Sequence, residues 1–311
     1  MGNMKIAVVC NSDSLAMPSI QFLKEQHFLA GVGIPKKSNT VLLNALQTIG
    51  IMPDSIAVFS TGSWREDMEN WLHSLSADAV FVIAFPWKIP AYILNIPLKG
   101  FFNFHFGVLP KYKGADPIFW QIRNMENHGG LFIHKMNAEI DGGPIVWQKE
   151  MAVIPGETYT MHSMRIGYEA VEELKLLLDH MDRDVLQENI QPEHQGLYYH
   201  KPGTEQLKID WQKQSSREIE YLVNACNQKY GGASTFLRNR ELRILEVSPV
   251  DMPPIPEQPS GTVVHADVLY GLVIACRGQE FLKINVVHMQ EGYLSGAKLF
   301  SMGVGIGEQL I

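Results

Sequence analysis

The chain has 311 residues, of which 46% are hydrophobic and 19% charged, proportions typical of a soluble globular protein with two domains. Its formal net charge of −7 provides no overall attraction for nucleic acid, so a nucleic-acid partner would need a local basic surface. The three cysteines, Cys10, Cys226 and Cys276, are too few and too scattered for a disulfide framework or a zinc site. We expect them to be buried, reduced thiols.

The first residues bear on localisation. A strand is predicted almost at once, at 5–10, and no basic segment followed by an apolar core precedes it, as a secretory signal would require. No apolar run approaches the roughly 20 residues that span a bilayer. We therefore expect a soluble, cytoplasmic protein without a membrane partner.

Residues 1–185 alternate short apolar runs rich in β-formers with amphipathic stretches. The predicted strands are 5–10, 28–34, 56–59, 79–85, 101–105, 131–136 and 145–151. The predicted helices are 18–25, 41–49, 64–75, 117–124 and 160–182. This alternation favours an α/β domain with a mostly parallel, Rossmann-like sheet and helices on both faces.

Residues 186–206 show no sustained hydrophobic period, which predicts a linker. Residues 207–311 follow with a predicted helix at 215–226 and short strands at 243–247, 261–266, 272–275 and 281–286. Several short strands in about 100 residues predict a small OB-like β-barrel as the second domain.

The turn after the first strand argues against a dinucleotide-binding protein. Such a turn is rich in glycine, so that backbone amides can approach a pyrophosphate. Here residues 10–14 contain no glycine, and Asp13 would repel phosphate.

Two polar residues on the predicted strand at 101–105 and one further along the chain combine complementary chemistry. Asn103 and His105 are two positions apart, so they face the same side of a strand and can serve one pocket. Asn103 offers an amide donor, His105 exchanges a proton near neutral pH, and Asp141 can orient and charge-stabilise the imidazole. The carboxyl ends of parallel strands are where open α/β sheets bind ligands.

Motifs around these residues resemble those of the folate-dependent formyltransferases. That family's pattern is Asn-x-His-x-Ser-Leu-Leu-Pro-x-x-x-Gly, followed by an Asp-x-Gly turn some 35 residues later. Here the corresponding segments are 103–114 and 140–145. The C-terminal half, from Asp210 and Trp211 to the segment 294–300, is most similar to the family members that act on methionyl-tRNA.

The resemblance implies 10-formyltetrahydrofolate as the formyl donor, a primary amine as the acceptor and no metal. Asn103 would donate to the oxyanion, His105 would manage the amine proton, and Asp141 would raise the pKa of His105. The implied donor contacts are Phe85, Trp87, Lys88, Ile89, Ala138, Glu139 and Ile140. The implied substrate contacts are Leu109, Pro110, Lys111, Tyr112, Lys113 and Gly114, with the ring of Tyr112 either touching substrate or completing a turn.

Several features depart from the family pattern. Gly107 replaces its serine, residues 86–88 replace a small glycine-containing loop, and the segment 35–39 lacks an Asp-Arg-rich loop that approaches the tRNA acceptor stem. Ten Lys and Arg face eleven Asp and Glu between residues 207 and 311, which leaves one net negative charge on a barrel expected to grip tRNA. Local basic candidates are Arg238, Arg240 and Arg243.

Three hypotheses follow. The first is formyl transfer to the amino group of methionyl-tRNA, with initiator tRNA as the partner and a role in translation initiation. The second is N-formylation of a small amine, such as a nucleotide-linked amino sugar. The third is a folate- or RNA-binding paralogue without turnover. His134 is interpreted as a polar neighbour of the site and not as a catalytic residue.

Overall fold

The computed structural model describes residues 4–36, 39–192 and 196–311. Lys37 and Ser38 of the predicted short loop, and 193–195 of the predicted linker, lie outside these residues. The chain divides into two compact units. Unit 1 comprises Met1–Pro117, His128–Ala152 and Ser163–Tyr199, and unit 2 comprises Ile118–Asn127, Val153–His162 and His200–Ile311. The predicted linker is thus divided between the units at Tyr199.

Unit 1 is built on a seven-stranded sheet with the order β3-β2-β1-β4-β5-β7-β8. The strands in the first 200 residues are β1 (Ile6–Cys10), β2 (Leu29–Pro35), β3 (Ile56–Phe59), β4 (Ala79–Ile83), β5 (Gly100–His105), β6 (Tyr112–Gly114), β7 (His128–Lys135), β8 (Ile145–Ala152) and β9 (Leu197–Tyr199). The pairs from β3 to β5 are parallel, whereas β7 and β8 run antiparallel to their neighbours. Residues on β1 and β4 are entirely buried, as expected for central strands covered on both faces.

Six helices occur in the same stretch of chain. They are α1 (Asp13–Glu25), α2 (Asn39–Thr48), α3 (Trp64–Leu75), α4 (Ala91–Leu94), α5 (Pro117–Arg123) and α6 (Tyr159–Asp182). The prediction that α1 begins at Pro18 is wrong by five residues, because Ser12 caps the helix by accepting a hydrogen bond from the Leu15 amide. The prediction of α3 matches at both ends.

The antiparallel addition of β7 to β5 positions the polar residues. Asn103 on β5 lies directly opposite His134 on β7, and His105 lies opposite Phe132. Residues paired in this way point to the same face of a sheet. The register therefore places the His134 side chain beside the pair already expected from Asn103 and His105.

A small two-stranded sheet lies apart from the main one. β6 pairs in parallel with β9, so Tyr112 lies opposite Leu197 and Gly114 opposite Tyr199. The rings of Tyr112 and Tyr199 stack at a centroid distance of 5.0 Å and an interplanar angle of 16°. The stretch predicted to be a linker therefore contributes a strand to unit 1.

Unit 2 contains a six-stranded antiparallel sheet with the order β10-β11-β14-β13-β12, and β15 pairs with β14. Its elements are α7 (Ser216–Cys226), β10 (Ala233–Leu237), β11 (Arg240–Val250), β12 (Val263–Asp267), β13 (Gly271–Ala275), β14 (Phe281–Met289), β15 (Gly292–Ser295) and α8 (Gly296–Ser301). The last residues join the two sheet edges, since Leu310 bridges to Leu237 and Gln309 bridges to Thr262. The predicted fold class is confirmed.

The remaining general expectations concern cysteines and membrane segments. Cys10, Cys226 and Cys276 are free and buried, and burial raises the pKa of each thiol to about 12. Their role as inert core residues is therefore as predicted. Within the described ranges no helix combines the length and apolar character needed to cross a membrane.

Candidate active site

Asn103, His134 and Asp141 form a compact polar cluster at the end of β5. Asn103 Nδ2 lies 3.2 Å from Asp141 Oδ1 and 3.0 Å from His134 Nε2, and His134 Nε2 lies 3.3 Å from the same carboxylate oxygen. If His134 Nε2 carries a proton it donates to Asp141, and if it does not it accepts from Asn103. The tautomer of His134 therefore decides how many amide hydrogens of Asn103 are engaged.

His105 is held from the opposite side of its ring. Its Nε2 donates to the Tyr112 carbonyl at 2.6 Å, because a carbonyl oxygen can only accept. This bond assigns the ring proton to Nε2 and leaves Nδ1 facing Asp141 Oδ1 at 3.6 Å. The side chain is only 5% exposed, so the imidazole meets Asp141 in an environment with little water.

Asp141 occupies a tight turn after β7 with a left-handed φ of 50°. Its Oδ2 accepts from the Gly114 amide at 2.8 Å, while Oδ1 faces Asn103, His105 and His134. Burial acts to raise the pKa of Asp141, but His105, the hydrogen bond from His134 and the Gly114 amide together lower it to about 2. The carboxylate is consequently ionised throughout the neutral range.

The expected rise in the His105 pKa is wrong in its net direction. Burial has the largest effect and lowers the pKa of His105 below its usual value, since a charged imidazole is poorly solvated there. Asp141 does act to raise it, as predicted, and the Tyr112 carbonyl helps, while nearby His134 lowers it. Near neutral pH, His105 is thus an uncharged base whose Nδ1 points at a carboxylate.

Gly107 replaces the family serine at a place with no room for a side chain. A Cβ at this position would lie 2.5 Å from Pro117 Cβ and 3.0 Å from His105 Nε2. The glycine therefore leaves room for both Pro117 and the imidazole of His105, where a serine side chain would not fit without a shift.

Two of the six predicted substrate contacts, Tyr112 and Gly114, hold the site through their backbone. The Tyr112 carbonyl holds His105 and the Gly114 amide holds Asp141, whereas the Tyr112 ring is buried on Tyr199. Of the two interpretations of Tyr112, the structure favours the turn residue. Leu109 is buried, Pro110 and Lys113 are half-buried, and Lys111 is exposed with its ammonium 5.4 Å from the Tyr112 ring.

The seven predicted donor contacts fall into two groups. Ile89 is buried in the core around α3, and half-buried Phe85 and Trp87 pack against that core, with the Trp87 ring stacked on Trp64 at 5.2 Å. Lys88, Ala138, Glu139 and Ile140 are exposed. Only Ala138 among the seven lines the cavity of about 440 Å³ in this part of unit 1, whose other walls include Leu94, Gly100, Met136 and Asn137.

Two further residues support the cluster: His134, which was expected as a polar neighbour, and Gln191, which was not expected. His134 belongs to it because of the β5–β7 register, a signal that becomes readable only when the two strands are aligned antiparallel. Gln191 lies in the predicted linker, and its side-chain amide donates to the carbonyls of Asp141 and Gly143. No hydrophobic pattern could have indicated Gln191, because its contacts are to backbone atoms distant in sequence.

The arginines considered for a nucleic-acid surface on unit 2 are each matched by a carboxylate. Arg238 pairs with Glu308, Arg240 with Glu291 and Arg243 with Glu241. Arg277 likewise pairs with Glu218, at 3.0 Å. These guanidinium groups therefore present little unbalanced positive charge.

Comparison with known proteins identifies the family to which the chain belongs. Residues 6–177 match the sequence profile of formyl transferases, and residues 202–304 match that of the formyl transferase C-terminal domain. The chain belongs to the formyl transferase family, which confirms the resemblance found in its motifs.

Solved structures share the fold at low identity. HypX from Aquifex aeolicus, determined with tetrahydrofolic acid, aligns with a TM-score of 0.72 and 16% identity over 97% of this chain. The chain spans only about half of HypX, 48% of its length. An N-formyltransferase from Helicobacter canadensis, in complex with folinic acid and dTDP-3-aminofucose, aligns at 0.63 and 17% identity over 90% of this chain and 98% of its own. Methionyl-tRNA formyltransferase from Clostridium thermocellum aligns with a TM-score of 0.57 and 14% identity. The alignment covers 79% of this chain and 93% of the Clostridium thermocellum chain.

Proposed function

We propose that this protein transfers the formyl group of 10-formyltetrahydrofolate to a primary amine. The observation that carries the proposal is the convergence of Asn103 with the buried His105 and Asp141 in one cluster within a formyl transferase domain. These groups match what the reaction needs, namely a donor for the oxyanion and a base for the amine proton.

The chemistry assigns a role to each member. The amine nitrogen bonds to the formyl carbon, and Asn103 Nδ2 donates to the oxygen as it becomes negative. His105 Nδ1 takes the proton that the amine loses, because its own proton is fixed on Nε2 by Tyr112. Ionised Asp141 stabilises the imidazolium that forms. The bond between the formyl carbon and the folate nitrogen then breaks, and that nitrogen receives the proton from His105.

The donor is proposed to bind against residues 138–140, which are exposed and lead directly into the Asp141 turn. The cavity of about 440 Å³ lies instead beside Gly100, at the amino end of β5, whereas Asn103 and His105 lie toward the carboxyl end of that strand. The tetrahydrofolic acid in the HypX structure and the folinic acid in the Helicobacter canadensis structure support a folate in this fold.

Two acceptors are considered. Methionyl-tRNA is supported by the motifs of the C-terminal half and by the similarity to the Clostridium thermocellum enzyme. A small amine, such as a nucleotide-linked amino sugar, is supported by the carboxylate partners of Arg238, Arg240 and Arg243 and by the dTDP-3-aminofucose in the Helicobacter canadensis structure. The charge balance of unit 2 makes the small amine the better supported acceptor.

A donor-consumption assay tests the proposal. The protein is incubated with 10-formyltetrahydrofolate and one acceptor at a time, either methionyl-tRNA or a member of a panel of nucleotide-linked amino sugars. The release of tetrahydrofolate and the mass of the acceptor are followed in each reaction. We expect saturable release with an acceptor 28 Da heavier, the mass of a formyl group less one hydrogen. Folate binding without release under any condition would support the non-catalytic paralogue.

A further inference from the structure

Gln191 lies in a buried position behind the Asp141 turn, in a stretch where the sequence predicts only a linker. The residue is 6% exposed. Its Nε2 donates to the Asp141 carbonyl at 2.8 Å and to the Gly143 carbonyl at 2.7 Å. A single side chain thus bridges both ends of the turn that presents the Asp141 carboxylate.

The backbone around Gln191 is itself anchored to the same region. Asn189, two residues earlier, exchanges both backbone hydrogen bonds with Ile145 at the start of β8, at 2.8 and 2.9 Å. The amide of Gln191 is therefore delivered to the turn by a fixed segment, and the turn is held between that segment and β7.

The turn needs such support. Asp141 adopts a left-handed φ that non-glycine residues rarely occupy. Gly143 packs so closely on β7 that a Cβ there would lie 1.8 Å from the Lys135 carbonyl. The backbone of the turn is thus constrained at both Asp141 and Gly143. A small rotation of the turn would carry the Asp141 carboxylate away from His105 and Gly114.

The hydrogen-bond donors of a glutamine side chain explain why this residue type suits position 191. A primary amide provides two hydrogens on one uncharged nitrogen, which matches two carbonyl acceptors. A glutamate would bring only acceptors to the same place, and a lysine or arginine would bring a charge next to the carboxylate. Methionine has similar length and no donor, so it is the cleanest replacement.

We propose that Gln191 is a positioning residue for the reaction, which sets the orientation of the Asp141 carboxylate by clamping the carbonyls of Asp141 and Gly143. Gln191 acts through Asp141 and does not touch the reacting atoms. The inference rests on the proposed function for its kinetic consequence, but its structural consequence is independent of any acceptor or donor.

The first test is a double-mutant cycle. Gln191→Met is expected to lower kcat by between about 10- and 100-fold, the usual consequence of misplacing a catalytic group by a fraction of an ångström to 1 Å. In an Asp141→Asn background the same substitution should cost less than about twofold, because there is no longer a carboxylate to position. Equal losses in both backgrounds would overturn the inference. Gln148→Met, on the exposed face of β8, is the matched control and should leave kcat unchanged.

The second test needs no turnover. The ring of His105 is titrated by NMR in the wild type and in Gln191→Met. Because Asp141 acts to raise the pKa of His105, its displacement should move that pKa further down. An unchanged titration in a folded Gln191→Met protein would contradict the inference even if the protein formylates nothing. If Gln191→Met does not fold, Gln191→Asn keeps the amide but shortens its reach, and the same titration is made on that variant.

Discussion

Charged groups are arranged in opposite ways in the two units. At the end of β5 in unit 1, one buried carboxylate faces two imidazoles, an amide side chain and a backbone N–H. On unit 2, each guanidinium of Arg238, Arg240 and Arg243 has its own carboxylate at a largely exposed position. The first arrangement places an ionised carboxylate beside buried imidazoles and can do proton chemistry, whereas the second balances charge near solvent. Chemistry is therefore expected to depend on unit 1 side chains far more than on unit 2 arginines.

The largest effect is expected for Asp141→Asn. Asparagine tolerates the left-handed backbone but cannot stabilise a charged imidazole, so kcat should fall by about 10³-fold, within the range for general acid–base groups. Steady-state release of tetrahydrofolate measures it. Asp184→Asn is the control, since Asp184 also has a positive φ of 55° but its side chain is 94% exposed. A similar loss in both variants would show that the effect is not specific to the Asp141 carboxylate and would contradict its assigned role.

A smaller effect is expected for Gly107→Ala. Its Cβ would collide with Pro117 and approach His105 Nε2, so either the imidazole or the proline must move. We expect a destabilisation of about 1–3 kcal/mol in urea unfolding, together with lower kcat. Gly62→Ala, where a Cβ meets nothing within 4 Å, should leave both quantities unchanged. A Gly107→Ala protein as stable and active as wild type would refute the packing argument.

The pH dependence of kcat/KM tests the account of His105, because this parameter reports the pKa values of the free enzyme. Uncharged His105 is the active form, so activity is lost as the imidazole is protonated. Because burial lowers the pKa of His105 below its ordinary 6.5, the acid limb should lie below pH 6.5. Removing the Asp141 carboxylate should move it still lower. Two acceptors with different amine pKa values are compared, since a limb that follows the acceptor does not belong to His105.

The smallest effect is expected on unit 2. Replacing Arg240 or Arg243 by glutamine should change the acceptor KM by less than about twofold and leave its salt dependence unaltered, because each charge is already balanced by Glu291 or Glu241. If these arginines gripped tRNA phosphates, each replacement would weaken binding and reduce the salt slope by about one. That result would restore methionyl-tRNA as the better supported acceptor.

The sequence was most informative where chemistry follows local periodicity. Asn103 and His105 could be placed on one face of a strand because strand side chains alternate, and the central strands were recognisable as apolar runs. His134 required knowledge of strand register, and Gln191 required knowledge of which backbone carbonyls come close together in the fold. Phe85 and Trp87 remain predicted donor contacts, and the structure adds that both rings are half-buried and pack around Trp64.

The pKa of His105 also depends on a property of the fold that the sequence does not reveal. The sequence indicates which charge will lie nearby, and Asp141 does act in the predicted direction. The extent to which the ring is removed from water depends on the folded structure around it, and that desolvation reverses the net direction.

The most direct measurement of the central claim is tetrahydrofolate release by Asn103→Ala at saturating donor and acceptor. If Asn103 donates to the developing oxyanion, kcat should fall by about 10²–10³-fold while the KM for the donor changes little, because the interaction strengthens only in the transition state. A folded Asn103→Ala protein with the wild-type kcat would contradict the account.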